Sequence, residues 1–265
     1  MAFWRGFAVF ALLVSAAAEA GGDWQYSFGV HDYTVPQADS DTFGIDARAA
    51  TDRHTESGLH YFGSMDLFVD FDEDHLDPDH IPIWWQVHVG SDGNFLESGN
   101  ARLGWTANFD TSMNTVSSIE RRMTALPALV AAYEGSGFEG ALKAGAGGFF
   151  LEIDDDVPKT RGYDRSDFRN STFAWSAQAD ATVHFGDTWS ASGMALGWWD
   201  SDQTLLTEYK ATLSFDTNHW RKGSALVISA DYNEYNLDMY QRSGLPPILP
   251  WDHDLLFRVT LDKAW

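Results

Sequence analysis

The chain contains no cysteine. That excludes disulfide staples, thiolate-ligated zinc and a thiol nucleophile. Basic residues are scarce: 17 Lys and Arg stand against 39 Asp and Glu, a formal charge of −22. A nucleic-acid partner, which needs clustered cations for its phosphates, is therefore not expected. After residue 20 no stretch approaches the length of apolar run that a bilayer-spanning helix requires. Aromatic residues, by contrast, are abundant: 12 Trp, 9 Tyr and 18 Phe in 265 residues. Strongly acidic chains poor in aromatics stay disordered; this one has the apolar surface to fold.

The first segment reads as a targeting signal. Arg5 supplies a positive start, Phe7 to Val14 a short apolar core, and Ala18-Glu19-Ala20 a small-residue cleavage site before Gly21. This order is that of a secretory leader. Residues 1–20 are set apart as the leader and 21–265 as one domain.

The mature chain alternates with period two, so that successive side chains fall on opposite faces of extended strands. In 173–185, Phe173, Trp175, Ala177, Ala179, Ala181, Val183 and Phe185 share one face, opposite Ser176, Gln178, Asp180 and His184. The apolar face begins and ends in aromatics with alanines between, the pattern of a lipid-facing strand with an aromatic girdle at each interface. The pattern recurs at 24–35, 42–50, 59–71, 83–90, 101–109, 125–134, 138–152, 189–199, 204–215, 225–234 and 255–265. The segments at 125–134 and 189–199 follow it least cleanly. About twelve strands (10–14) predict an all-β, closed antiparallel transmembrane barrel. A mean hydropathy of −0.28 agrees, since such a barrel is apolar on one face only. Soluble sandwiches and enclosed barrels also alternate; the repeated aromatic ends weigh against them.

Connections alternate in length. Short turns are expected at Ser91-Asp92-Gly93-Asn94, Gly135-Ser136-Gly137 and Gly186-Asp187, on the inner side of the membrane. Longer connections are expected on the outer side, at 72–80, 111–124, 154–171 and 235–253 among others. Ser117-Ser118-Ile119-Glu120 matches a capping box and predicts a short helix.

The chain ends on Phe257, Val259, Leu261 and Trp265, alternating with Arg258, Thr260 and Asp262. This terminal aromatic strand resembles the C-terminal signature of bacterial outer-membrane barrel proteins. The resemblance implies recognition by the barrel insertion machinery, location in the outer membrane after export through the periplasm, and contact with membrane lipids and lipopolysaccharide. Trp265 stands where Phe is commoner, and Lys263 on the apolar face is placed to snorkel.

On the polar faces lie Asp46, Arg48, His60, Asp66, Arg102, Glu139, Lys143, Asp180, Glu208, Lys210, Asp231 and Arg258, read as lining the lumen. This points to a narrow pore or structural barrel, with a preference for cations from the acidic loops. A lipid-modifying hydrolase or acyltransferase is the alternative. Its candidate bases are His88, three residues from Ser91, and His31, beside Asp32 and Tyr33. Trp84-Trp85-Gln86 resembles a string in outer-membrane phospholipases, which also have twelve strands, but their His-x-Ser-Asn-Gly string is absent. A solitary autotransporter-like barrel with a surface-interaction role is the third alternative; only the leader is read ahead of the first strand, so no passenger is expected.

No cofactor is expected. The acidic runs at Asp72, Asp74, Asp77 and Asp79, and at Asp154-Asp155-Asp156, offer oxygen ligands that suit Ca²⁺ or Mg²⁺. Neither matches an EF-hand, and His75 and His80 add a weaker case for a transition metal.

Overall fold

The computed structural model describes residues 23–56, 59–71, 76, 82–114 and 116–264. The leader, the 72–80 metal candidates Asp72, Asp74, Asp77 and Asp79, and Trp265 lie outside them.

Twelve antiparallel strands close into one barrel, each paired with its sequence neighbours and the last with the first. They are β1 (Asp23–Val35), β2 (Ser40–His54), β3 (His60–Asp70), β4 (Ile83–Ser98), β5 (Ala101–Met113), β6 (Arg121–Glu134), β7 (Phe138–Glu152), β8 (Arg169–Phe185), β9 (Trp189–Trp199), β10 (Thr204–Asp216), β11 (Ser224–Tyr235) and β12 (His253–Ala264). A short helix, α1 (Asp156–Thr160), sits in the β7–β8 connection. No helix among the described residues is long and apolar enough to cross a membrane. Closure leaves no sheet edge, so the strands satisfy one another's backbone polar groups, the condition for a sheet in hydrocarbon.

The outer face is apolar and exposed in a continuous belt, far beyond the patches a soluble surface carries. Phe173 is 65% and Leu129 67% exposed. Phe43, Phe71, Phe173, Trp175 and Trp199 ring one end of the belt, and Tyr133, Phe138, Phe185, Trp189 and Trp220 the other. Two aromatic girdles enclosing an aliphatic and alanine-rich band make this a membrane belt. Phe257, Val259 and Leu261 face it from β12. Lys263, at its edge, donates to the carbonyl of Lys222 in the adjoining turn.

Two expectations are corrected. Ser91-Asp92-Gly93-Asn94 is no turn: β4 continues to Ser98, and the chain reverses at Gly99-Asn100, where Gly99 takes φ +59°. Gly93 instead lies opposite Trp105, whose indole nitrogen would be 2.9 Å from any Cβ placed there. The glycine makes room for a ring rather than bending the chain. The second correction is the 117–120 helix. Ser118 adopts φ +62°, and the segment's carbonyls bond outward instead of four residues ahead: Ser117 O accepts from Trp251 Nε1 at 2.8 Å and Ser118 O from Asp154 N at 2.9 Å. Val116 and Ile119 are buried, so tertiary contacts override the capping signal.

β6 is irregular because Pro127 cannot donate to the ladder. Its pairing with β7 breaks after Ala125–Gly148 and resumes at Ala128–Gly145. At this gap β7 approaches so closely that a Cβ on Gly147 would lie 1.8 Å from the Ala125 carbonyl oxygen.

Candidate functional site: the barrel lumen

The β5–β6, β7–β8 and β11–β12 connections fold inward and fill the barrel's mouth at their end. Val116 and Ile119 from the β5–β6 connection, Ile153, Tyr163 and Phe168 from β7–β8, and Tyr240, Ile248, Leu249 and Trp251 from β11–β12 form a buried cluster with Tyr33, Phe149, Leu151, Leu205 and Leu206 of the barrel wall. Polar ties complete the plug. Tyr240 Oη donates to Leu151 O at 2.9 Å, Tyr163 Oη to Pro246 O at 2.8 Å, and Arg161 Nε to Pro247 O at 2.6 Å, while Arg242 pairs with Asp167 at 2.8 Å. Two carboxyls of the plug are held above the usual carboxylate range. For Glu120 the cause is burial and then Glu152, against the pull of Arg121; for Asp154 it is burial, opposed by the backbone N–H of Asp156 and reinforced by Asp156 and Asp155.

Below the plug the lumen is polar. Arg122 of β6 and Glu208 of β10 meet at 3.0 Å. Three strands separate them around the wall, so the pair crosses the lumen. It borders both a cavity of about 150 Å³ under the plug and one of about 450 Å³ toward the short turns.

Arg258, the guanidinium buried in the wall, pairs with Asp46 and, at 2.8 Å, with Asp66, and lies 5.0 Å from the Phe68 ring centre. Arg48 adds a contact to Asp66 at 3.8 Å. Lys210 meets Asp231 at 2.9 Å and Lys143 meets Asp180 at 3.2 Å. At the short-turn mouth Glu139 faces His184 at 3.0 Å, Arg102 faces Glu134 at 3.9 Å, and His60 lies between Asp52 and Asp92. Arg258, Asp46 and Asp66 are buried, and charges taken out of water are tolerable only when paired, because an unpaired one costs several kcal/mol; the Lys210, Lys143 and rim pairs remain part-exposed.

The two candidate bases are part of this network. His31 is fully buried, its Nε2 2.9 Å from Asp70 Oδ1, edge-on to Phe68 and Trp84. His88 Nδ1 is 2.5 Å from Asp110 Oδ1. With β4 continuous, His88 and Ser91 are three residues apart on one strand and so face opposite sides. The partners of both rings are carboxylates, not hydroxyls. Of the acidic 154–156 run, Asp155 pairs with Lys159 and Asp154 accepts the Asp156 N–H at 3.0 Å.

The sequence places Arg122 within the 111–124 connection, whereas β6 begins at Arg121. Extended backward by parity from Thr124 and Leu126, β6 puts Arg122 on the lumen face.

No family model and no curated protein matches the chain in sequence. Solved structures do match in fold. The NanC porin aligns with TM-score 0.52 at 9% identity, over 90% of this chain and 98% of its own. An outer membrane channel from Pseudomonas putida F1 aligns with TM-score 0.52 at 10% identity, over 92% and 96%. The fold is that of bacterial outer-membrane porins. The KdgM porin aligns at TM-score 0.47 and 8% identity, over 90% of this chain and 99% of its own.

Proposed function

We propose that the chain is a narrow outer-membrane channel of a Gram-negative bacterium, shut at its external mouth in the conformation described. One observation carries the reading: beneath the loop plug the Arg122–Glu208 pair crosses a lumen that holds charge-lined cavities, and it borders two of them. A barrel serving only as a scaffold has no need of charged cavities, since side-chain packing fills a small barrel more cheaply. The fold shared with outer-membrane porins supports the location, and the leader supports export. On this reading the short turns face the periplasm, the long loops face outward among lipopolysaccharide, and the terminal strand of Phe257, Val259, Leu261 and Trp265 is the insertion signal. Carboxylates outnumber fixed cations along the lumen and loops, which favours small cations over anions.

The test is conductance of the purified barrel in planar bilayers. The expected result is rare, small, cation-preferring openings in the native chain and frequent openings once residues 236–252 are shortened. Silence from both proteins would overturn the channel reading. It would favour the second reading, a structural barrel, which the hydrophobic packing of the plug supports.

A further inference from the structure

A cluster at the short-turn mouth remains outside the channel reading. Asp52 and His54 are two apart on β2 and share its lumen face; His54 is the register partner of His60 on β3, and His60 in turn of Asp92 on β4. Three strands thus bring two imidazoles and two carboxylates to one spot on the rim. The ligand atoms of Asp52, His54 and His60 all lie within 4.8 Å of one another. The two imidazole rings stack with centres 4.3 Å apart and planes inclined by 10°.

His60 has a carboxylate oxygen at each ring nitrogen, Asp92 Oδ2 at 3.1 Å from Nδ1 and Asp52 Oδ2 at 2.8 Å from Nε2. A neutral imidazole carries one N–H. An imidazolium donates to both carboxylates; in the neutral ring with Nδ1–H on Asp92, the Nε2 lone pair faces the Asp52 carboxylate, and a metal ion there takes the place of the second proton. A carboxylate behind one ring nitrogen and an open lone pair on the other is the arrangement that orients a metal-ligating histidine.

We infer that Asp52, His54 and His60 bind a divalent transition-metal ion of the zinc class, with Asp92 positioning His60. Two imidazoles and a carboxylate match the donor set of three-ligand zinc sites, with water in the remaining position. Imidazole donors select against Ca²⁺ and Mg²⁺, which prefer oxygen alone. Zinc at about 2.1 Å from each ligand sets donor atoms about 3.4 Å apart, so a cluster within 4.8 Å closes by a modest shift of exposed side chains. The rim position keeps the site open to solvent: His54 is 76% and Asp52 55% exposed.

The test is calorimetric titration of the tag-free barrel in detergent with Zn²⁺, and with Mg²⁺ as the contrast. One saturable Zn²⁺ per chain is expected, with no Mg²⁺ binding. His54→Gln, at an exposed position with little folding role, and His60→Ala should each abolish saturable binding. Asp92→Asn should weaken it about 10- to 100-fold at unchanged stoichiometry. Replacing His75 and His80 by Ala should leave it unchanged. Heat-dependent migration in SDS gels reports that each variant is folded. Absence of saturable binding, binding that survives His54→Gln in folded protein, or binding lost with His75 and His80 would each overturn the assignment. The readout is metal bound, not current, so it stands or falls apart from the channel reading.

Discussion

Trp251 donates its indole N–H to the carbonyl of Ser117 at 2.8 Å, joining two loops 134 residues apart over the barrel's mouth. Because the buried indole also fills the centre of the plug, Trp251→Ala removes a hydrogen bond and leaves a cavity, together worth about 3–5 kcal/mol. That loss falls on the plug and not on the ladder of strands. Trp251→Ala should therefore raise open probability in planar bilayers while the barrel's melting temperature stays close to native. A melting temperature that collapses with no gain in current would show that the loops are part of the barrel core and not a closure.

The Arg122–Glu208 pair predicts a change in selectivity as well as in current. Both side chains are largely buried, so removing one leaves the other uncompensated. Glu208→Gln leaves a cation at the constriction and should shift permeability toward anions. Arg122→Gln should shift it toward cations. In the Arg122→Ala/Glu208→Ala double variant the bridge is gone without a stranded charge, and single-channel conductance should exceed that of either single variant. Reversal-potential measurements under a salt gradient read the first effect and single-channel amplitudes the second.

Acidification should tighten the plug. Glu120 and Asp154 are raised above the usual carboxylate range when the loops are packed, through burial first of all. Between the unpacked and packed pKa values the packed form holds more protons, so packing is favoured as pH falls through that window and disfavoured as pH rises through it. Open probability should decline as the bath is taken from neutral toward the carboxylate range, and Glu120→Gln should flatten part of that decline. An open probability that climbs on acidification, equally in native and Glu120→Gln protein, would contradict it.

The barrel itself was legible from side-chain parity. The segments read at 138–152 and 189–199 have the bounds that β7 and β9 take, the second although its alternation is among the least clean. Strand ends were less legible where glycine serves packing, as at Gly93 under Trp105. Arg122 was hidden by a strand begun four residues late. The plug had no local signal at all. Its segments carry turn residues and one capping box, and only contacts such as Trp251 to Ser117, remote in sequence, give them a common core. The rim cluster was equally dispersed: only the register of β2, β3 and β4 makes Asp52, His54, His60 and Asp92 neighbours.

The Arg258 cluster predicts where wall stability resides. Its guanidinium bridges β12 to β2 and β3, on both sides of the seam where the last strand closes on the first. Arg258→Met keeps the packing against Phe68 but strands Asp46 and leaves Asp66 only the longer Arg48 contact, so it should cost about 3–5 kcal/mol in urea unfolding from detergent. Adding Asp46→Asn and Asp66→Asn to Arg258→Met should recover much of that loss, because the penalty is the unpaired charge rather than the missing attraction.

The β6–β7 gap gives the sharpest steric expectation. Pro127 withholds a donor, and the chain opposite compensates by moving in, which only a residue without Cβ permits. Gly147→Val would put a branched side chain against the Ala125 carbonyl, where even a single Cβ would stand 1.8 Å away. The backbone must yield, at about 1–3 kcal/mol or more. By contrast Gly148→Ala, at the next residue of the same strand, meets nothing within 4 Å because that position faces the belt. Refolding yield into detergent should therefore drop for Gly147→Val and hold for Gly148→Ala. Equal yields would mean that β7 has room to slide at the proline, and that the interruption in pairing is slack rather than close contact.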